Sequence, residues 1–247
     1  MRLIALGAVF CFSLLASFGA ALSAKADEPK SVKELLAAFR EMPGFEARFV
    51  EDKHLALLAI PLRSEGRLYF APPALLLRDV LSPSPQRVLL QGNQVRLSSG
   101  PGANGASDPS GVVREQVIDL SARPEIRPLV ESVLWLLSGD EAALEGAFEI
   151  EFVPSKLEAD TLEAESGGDE WILRLIPRDD ALAQLLARLV VRGRGMETTE
   201  IAVEESSGDR SVMRILEPNP ARVFSEAERE SIFGTREKAE RAAVRNE

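Results

Sequence analysis

Side chains suited to covalent or metal chemistry are scarce in this sequence. It has one cysteine, Cys11, and one histidine, His54, in 247 residues. Cys11 lies in an apolar segment that we expect to be removed on export, which excludes disulfides, cysteine nucleophiles and cysteine-ligated metals in the exported protein. No serine occupies a G-x-S-x-G motif, and no His, Asp and Glu residues cluster at metal-ligand spacing. The sequence therefore predicts no catalytic site, no metal site and no cofactor.

Positive charge is in the minority. The chain has 29 Lys and Arg against 39 Asp and Glu, a formal net charge of −10. Removal of Arg2 and Lys25 with a signal segment would change this to −12, since −10 − 2 = −12. This balance argues against nucleic acid as a partner and against lasting attachment to anionic lipid surfaces.

The N-terminus has the pattern of a secretory signal peptide. Met1 and Arg2 precede an apolar run at 3–15, and small residues follow as far as Ala26. The run is shorter than the roughly 20 apolar residues of a spanning helix, so an uncleaved anchor is the weaker alternative. We expect residues 1–26 to be cleaved, 27–233 to form one domain, and the charged tail at 234–247 to be a frayed helix or disordered.

Short apolar and alternating segments predict a mainly antiparallel sheet. Residues 54–80 are apolar at nearly every step, although a sheet with one wet face should alternate apolar and polar side chains. A Gly, Ser and Pro rich segment at 98–111 is expected to be a loop. The strands are predicted at 45–58, 66–71, 75–81, 87–97 (with a turn at Gly92-Asn93), 112–120, 148–152, 171–175, 189–192, 197–204 and 211–216.

Two amphipathic segments predict helices. The first begins at a capping box, Ser31 to Glu34, and ends near Met42-Pro43-Gly44. The second has apolar residues at helical spacing from Ile126 to Leu137 and ends at Ser138-Gly139. The sequence thus predicts a long antiparallel sheet accompanied by two helices.

Several segments, in this order and spacing, resemble the periplasmic outer-membrane lipoprotein carrier family, LolA-like. They are "FEARFVEDK" (45–53), "GRLYFAPPALLLRDV" (66–80), "LLQGNQVRL" (89–97), "WILRLIPR" (171–178) and "GDRSVMRI" (208–215). The resemblance implies an unclosed antiparallel half β-barrel with helices covering its concave apolar face. Both faces of the strands in 54–80 would then be at least partly sheltered, and acyl chains would occupy the space between sheet and helices.

The resemblance also implies a set of lipid-binding residues. Arg78 would meet a polar head group at the rim of the apolar face, or alternatively pair with Asp79 at the surface. The predicted apolar lining is Leu35, Phe39, Val133, Leu134 and Leu137 of the helices, opposite Phe49, Tyr69, Leu76 and Val80 of the strands.

Two features depart from the family pattern. Many members have an arginine directly before the strand-ending proline, where it holds the empty cavity shut, but here Pro72 precedes Pro73. The ending "LEPNPARVFSEAERESIF" (216–233) replaces the usual final strand and Pro-Gly. The chain therefore resembles a divergent branch of the family, whose cargo would be a glycolipid, a polyene lipid or another acyl compound instead of a lipoprotein. Both kinds of cargo stay open for this chain.

The resemblance implies a monomeric periplasmic carrier. It would receive acyl chains from an inner-membrane donor transporter and pass them to an outer-membrane acceptor. An envelope module that senses mislocalised lipids on the same half-barrel is the alternative, and an enzyme is not expected.

Overall fold

The computed structural model describes residues 29–99, 114–124, 127–154 and 170–234. The predicted signal peptide, most of the predicted loop at 98–111 and the tail beyond residue 234 lie outside these ranges. The described strands are β1 (Phe45–His54), β2 (Leu62–Ala71), β3 (Leu75–Ser82), β4 (Gln86–Gln91), β5 (Gln94–Ser99), β6 (Arg114–Asp119), β7 (Phe148–Val153), β8 (Trp171–Pro177), β9 (Leu186–Arg194), β10 (Glu197–Glu205) and β11 (Arg210–Asn219). The helices are α1 (Val32–Glu41), α2 (Arg127–Leu137), α3 (Glu141–Ala147), α4 (Asp180–Ala183) and α5 (Glu226–Phe233), with a short 3-10 turn at Leu120–Ala122.

All these strands pair antiparallel in one sheet. Its order is β6-β5-β4-β3-β2-β1-β11-β10-β9-β8-β7, so the first and last of the described strands are neighbours at the centre. The outermost strands, β6 and β7, are not paired with each other, and the sheet is not closed into a barrel. The predicted fold class, a mainly β open antiparallel sheet with helices, is confirmed.

Local signals in the sequence explain several element boundaries. Ser31 caps α1, its hydroxyl accepting a hydrogen bond from the backbone N–H of Glu34, as the capping box predicts. The turn between β4 and β5 lies at Gly92-Asn93, and Gly92 has a φ of 56° that favours glycine. The first strand was predicted to reach residue 58, which is wrong, because β1 ends at His54 and a turn follows.

The sheet has an inner face, which we define as the side that packs against α1, α2 and α3. Register places Phe49, Gly66 and Val80 side by side on this face, across β1, β2 and β3. On the other side of β1, Phe49 pairs with Ile215 of β11. The largest cluster of buried apolar side chains is built on this face and continues into the three helices.

The outer face carries the C-terminal clasp, which we define as residues 222–233. Phe224 and Phe233 of the clasp pack edge-on against Tyr69, each with ring centroids 6.4 Å from the tyrosine ring. The guanidinium of Arg229 donates to the carbonyl of Pro72 at 3.3 Å. The clasp buries Tyr69 and the outer side of Leu77 and Leu89, and so it explains why β2 is apolar on both faces.

Candidate functional site

The inner face is an apolar surface shared by strands and helices. The helices contribute buried side chains from the stripe that each turns towards the sheet, in keeping with their helical spacing. These are Leu35, Leu36 and Phe39 of α1, Leu134, Leu136 and Leu137 of α2, and Leu144 of α3. The helices and the sheet therefore form one continuous core.

Strands β8 and β9 supply the fully packed part of the inner face. Trp171 is 0% exposed, and its indole N–H donates to the carbonyl of Gly195 at 2.8 Å. A Cβ on Gly193 would lie 2.2 Å from the Trp171 ring, so only glycine leaves room for the indole there. Phe39 of α1 meets this ring edge-on, with centroids 6.4 Å apart. This region is closed core.

Strands β3 to β6 supply a part of the inner face that is apolar but only half-buried. Register aligns Leu76 with Leu90, and Val88 with Leu97, in neighbouring strands. Some of these inner-face side chains, such as Leu90, are buried, whereas others pack against the core but remain partly exposed to solvent. We call the partly exposed side chains, together with those of α2 that lie against the same core, the half-exposed strip. It consists of Leu76, Val88, Leu97 and Ile118 of the sheet and Leu129, Val130 and Val133 of α2.

A polar group interrupts the apolar inner face beside this strip. Arg78 of β3 forms an ion pair with Glu51 of β1, and its guanidinium lies 5.0 Å from the centroid of the Phe49 ring. Glu51 also accepts hydrogen bonds from the hydroxyls of Ser64, at 3.1 Å, and Ser211. The two ionic side chains are 26% and 17% exposed, so the pair is partly withdrawn from water.

Arg78 reaches Glu51 across the intervening strand because β2 has a glycine there. Gly66 lies between Phe49 and Val80, and a Cβ at this position would come within 2.8 Å of the Phe49 ring. The ring therefore lies over Gly66, and the guanidinium stacks on the ring. The proposed surface pair of Arg78 with Asp79 is wrong, since Asp79 lies next to Arg87, at 3.8 Å.

Nine of the ten predicted lipid-binding residues lie on the inner face or the helices that cover it. Leu35, Phe39, Phe49, Val80, Leu134 and Leu137 are buried in the cluster, Leu76 and Val133 are half-buried against it, and Arg78 forms the polar pair. Their contact with lipid stays a prediction.

The predicted position of Tyr69 opposite the helices is wrong. Register aligns Tyr69 with Leu77, whereas Leu68 aligns with Arg78 and Phe70 with Leu76, so Tyr69 points to the outer face. Both faces of β2 are buried from residue 68 to residue 71, and alternation alone gives no sign of which face is inner.

Sequence reasoning missed Glu51 as the partner of Arg78. Glu51 lies two residues after Phe49 on the same strand, so strand parity places both on one face, and this signal could have found it. It also missed a second acid among the apolar residues of α2. Glu131 is 3% exposed and pairs with Arg127 at 2.9 Å.

A hydrogen bond joins the two longest covering helices. The guanidinium of Arg40, near the end of α1, donates to the carbonyl of Gly139 after α2, at 2.6 Å. Gly139 has a φ of 64°, and a Cβ there would lie 2.2 Å from the carbonyl oxygen of Leu36. The two backbones thus approach closely at a point where only glycine fits.

Over the described ranges, none of the helices has the length and apolar character needed to cross a bilayer. No group of three or more His, Cys, Asp or Glu residues with a geometry suited to a metal ion occurs in the same part of the chain.

The solved structures to which this protein is similar have low sequence identity to it. The LolA superfamily protein NE2245 from Nitrosomonas europaea is 15% identical with a TM-score of 0.41, over 86% of this chain and 100% of its own. One chain of the Pseudomonas aeruginosa MucA/MucB complex is 13% identical with a TM-score of 0.40, over 79% of this chain and 59% of its own. A putative outer membrane lipoprotein-sorting protein domain from Vibrio parahaemolyticus is 11% identical with a TM-score of 0.36, over 83% and 97%.

The sequence itself, and not these structures, assigns the protein to a family. A search of curated proteins finds no match to this sequence. The sequence profile of one family, described as outer membrane lipoprotein carrier protein LolA-like, matches residues 21–228, which is most of the chain. The chain therefore belongs to the LolA-like outer membrane lipoprotein carrier family.

Proposed function

We propose that the protein is a periplasmic carrier that binds the acyl chains of a lipoprotein or lipid on the inner face of its sheet. The observation that carries the proposal is the half-exposed strip, where Leu76, Val88, Leu97 and Ile118 pack against the core without being buried by it. An acyl chain laid along the strip would complete the burial of these side chains. Family membership supports the same function.

Binding of this kind needs only the removal of apolar surface from water. Burying an acyl chain is worth roughly 0.8 kcal/mol per CH₂, so a long chain that is insoluble alone is held by a modest apolar surface. We therefore propose a non-enzymatic role, in which no bond of the cargo is made or broken.

The polar group beside the strip gives a place for the head of the cargo. Arg78 is 26% exposed, stacks on Phe49 and pairs with Glu51. A phosphate, carboxylate or carbonyl group of a lipid would compete with Glu51 for this guanidinium. The acyl chain would then extend over the strip while the head group stays at the edge nearer to water.

The proposed route leads from an inner-membrane donor transporter to an outer-membrane acceptor. The signal pattern at 1–26 supports export, and the acidic net charge of −10 disfavours lasting adhesion to an anionic membrane. We propose that the carrier acts as a monomer, since a carrier must expose its loading edge to a donor and then to an acceptor.

The test is binding of a fluorescent fatty-acyl probe to wild type and to Leu76→Glu. A carboxylate in the strip should lower probe affinity by more than about tenfold, because an acyl chain would have to bury it. Leu81→Glu is the matched control, since Leu81 lies near the end of the same strand, outside the half-exposed strip, and is 36% exposed. Equal affinity in wild type and a folded Leu76→Glu variant would contradict binding at the strip.

Native mass spectrometry of protein purified from its own periplasm would identify the bound lipid. A probe-loaded protein should also deliver the probe to acceptor vesicles. Capture without delivery to any acceptor would contradict the carrier role and favour lipid sensing.

A further inference from the structure

The turn between β1 and β2 exposes large apolar side chains to solvent. Residues 55–62 have the sequence LALLAIPL, and in this segment Leu57 is 96% exposed and Ile60 is 74% exposed. Leu58 and Leu62 also have about half of their surface accessible, at 46% and 50%. We call residues 55–62 the apolar loop. Such a cluster at the tip of a hairpin is not needed for the core, because these side chains contribute little to it.

The backbone of the apolar loop is held in place although its side chains are not buried. The N–H of Leu58 donates to the carbonyl of Leu55 at 2.9 Å, and the N–H of Ala56 donates to a carboxylate oxygen of Asp209 at 2.8 Å. Asp209 belongs to the neighbouring turn between β10 and β11, so the loop is fixed to the rest of the sheet. Its leucines are therefore presented on a supported turn.

The charges around the apolar loop identify what kind of surface it fits. No residue from 55 to 62 is ionisable. At the base of the loop charges of both signs are interspersed, with Lys53 3.1 Å from Glu205, and Arg63 3.4 Å from Glu65 and 3.9 Å from Asp52. An apolar tip above a base of interspersed cations and anions matches the hydrocarbon boundary and the zwitterionic head groups of a phospholipid bilayer. An anionic surface would find no cationic patch there, because each of these cations already lies beside a carboxylate.

The apolar loop is continuous with the inner face. Leu62 begins β2, and strand parity places it on the same face as Ser64, Gly66 and Leu68. Ser64 donates to Glu51, the partner of Arg78, so the loop leads directly to the polar group beside the half-exposed strip. A membrane touching the loop would lie next to the end of the inner face that a lipid head group is proposed to occupy.

We propose that the apolar loop inserts into the interfacial region of a zwitterionic lipid bilayer, bringing the inner face to the membrane from which cargo comes or to which it goes. This inference rests on the proposed carrier function. Insertion is driven by apolar burial and not by charge, so it does not depend on screening by salt, and it fits an acidic protein whose net charge of −10 disfavours anionic surfaces.

The experiment is flotation of the exported form of the protein with phosphatidylcholine vesicles. The double variant Leu57→Ser, Ile60→Ser should reduce the vesicle-bound fraction by about tenfold or more, since two large side chains lose their apolar transfer free energy. Val223→Ser is the matched control. Val223 is 66% exposed and lies just after Ala221, which bridges to Gly44 at the opposite end of β1. This control should float like wild type.

A second measurement locates the contact. Tryptophan at position 57 (Leu57→Trp) should be quenched by vesicles of brominated phosphatidylcholine beyond the signal of wild type, whereas Val223→Trp should not. Raising the salt concentration from 50 to 500 mM should leave flotation unchanged, because an apolar contact is not screened.

Three outcomes would overturn the inference: wild type that does not float, a double variant that floats as well as wild type, or binding that salt abolishes. A wild type that stays in solution would point to a protein partner for the apolar loop. Binding of the soluble acyl probe, measured on the same proteins without vesicles, tests the carrier function separately. The double variant should keep that affinity, since the substituted side chains lie outside the strip.

Discussion

Two regions of the inner face are made of similar residues and packed differently. On β8 and β9, Trp171, Leu173, Leu189 and Val191 are all buried, and Phe39 of α1 packs edge-on against Trp171. On β3 to β6, equally apolar side chains such as Leu97 keep part of their surface in water. Apolar surface left in water costs free energy that a core would recover, so the second region is explained by something other than stability.

The two regions also differ in how their side chains are placed in the sheet. The closed region uses glycine to bring a large ring into the sheet, with Gly193 beneath Trp171. The half-exposed strip uses medium-sized aliphatic side chains and lies beside the Arg78 and Glu51 pair. We infer that the closed region keeps its packing whether or not cargo is present, whereas the strip is the part that changes.

The largest effect we expect is on the free energy of unfolding of Trp171→Ala. Removal of a fully buried tryptophan should lower it by about 3–5 kcal/mol. Leu97→Ala in the strip should cost only about 1 kcal/mol, because its side chain is already partly in water, yet it should weaken acyl-probe binding several-fold. Urea denaturation and probe titration check both values. Similar losses of stability in the two variants would remove the distinction between the regions.

Strand β2 shows which parts of the fold could be predicted from the sequence and which could not. Strand periodicity and the family resemblance predicted the open antiparallel sheet and the covering helices, both of which are confirmed. Tyr69 was assigned to the wrong face, because burial on both sides of β2 removes the alternation that identifies the inner face. The outer cover comes from the C-terminal clasp, more than 150 residues further along the chain, and no local pattern in β2 indicates it.

The candidate site was predictable to a similar degree. Helical spacing identified the stripes of α1 and α2, since period and face are local properties of the chain. The pair of Arg78 with Glu51 depends on register across β2 and on the space above Gly66, and neither can be deduced from one strand alone. Residues 55–58 of the apolar loop were predicted as part of the first strand, because leucine patterns do not distinguish a buried edge from an exposed turn.

The hydrogen bond between the covering helices α1 and α2 allows a test of whether these helices separate when cargo binds. Arg40→Ala removes the donor to the carbonyl of Gly139 and should lower stability by about 1 kcal/mol. If the helices must separate for an acyl chain to reach the strip, the variant should also bind the probe more tightly, since a larger fraction of the protein is competent to bind.

Lys33→Ala is the control for Arg40→Ala, because Lys33 is an exposed cation on the same helix. It should change neither quantity. Tighter binding by both variants would attribute the effect to the loss of positive charge from α1 and would contradict a role for helix separation.

A smaller effect is expected where the family commonly has a locking arginine. Pro72→Arg should favour the closed empty state and weaken probe binding by about threefold with little loss of stability, although the change also frees the local backbone. Pro73→Arg, at the exposed neighbouring position, is the control. Probe titration and a thermal melt are needed for both variants. Unchanged affinity in Pro72→Arg at equal stability would mean that position 72 has no gating role in this protein.

The smallest effect concerns the C-terminal clasp, which supports the strip from behind through β2, β3 and β4. The pKa of Glu228 is lowered from 4.5 to about 2, chiefly by a hydrogen bond from Arg222 and to a smaller extent by hydrogen bonds from Ser225. A carboxyl whose pKa is lowered by folding stabilises the folded state above its unfolded pKa, and that contribution is lost as the pH falls from 4.5 towards 2. Acid should therefore loosen the clasp before it affects the closed region.

Tyr69, the one tyrosine in the sequence, reports on this loosening directly, because it touches both clasp aromatics. Protein labelled with 3-fluorotyrosine should give a single ¹⁹F resonance that shifts between pH 4.5 and 2, the window set by the two pKa values of Glu228. Glu228→Gln should show a shifted resonance already at pH 7, whereas Glu226→Gln, in the same helical turn, should not. Fluorescence of Trp171 and Trp135 over the same titration follows the inner side of the molecule. If the tryptophan signal changed together with that of Tyr69, the clasp and the inner side would respond to acid as one unit, which would contradict the expected order of loosening.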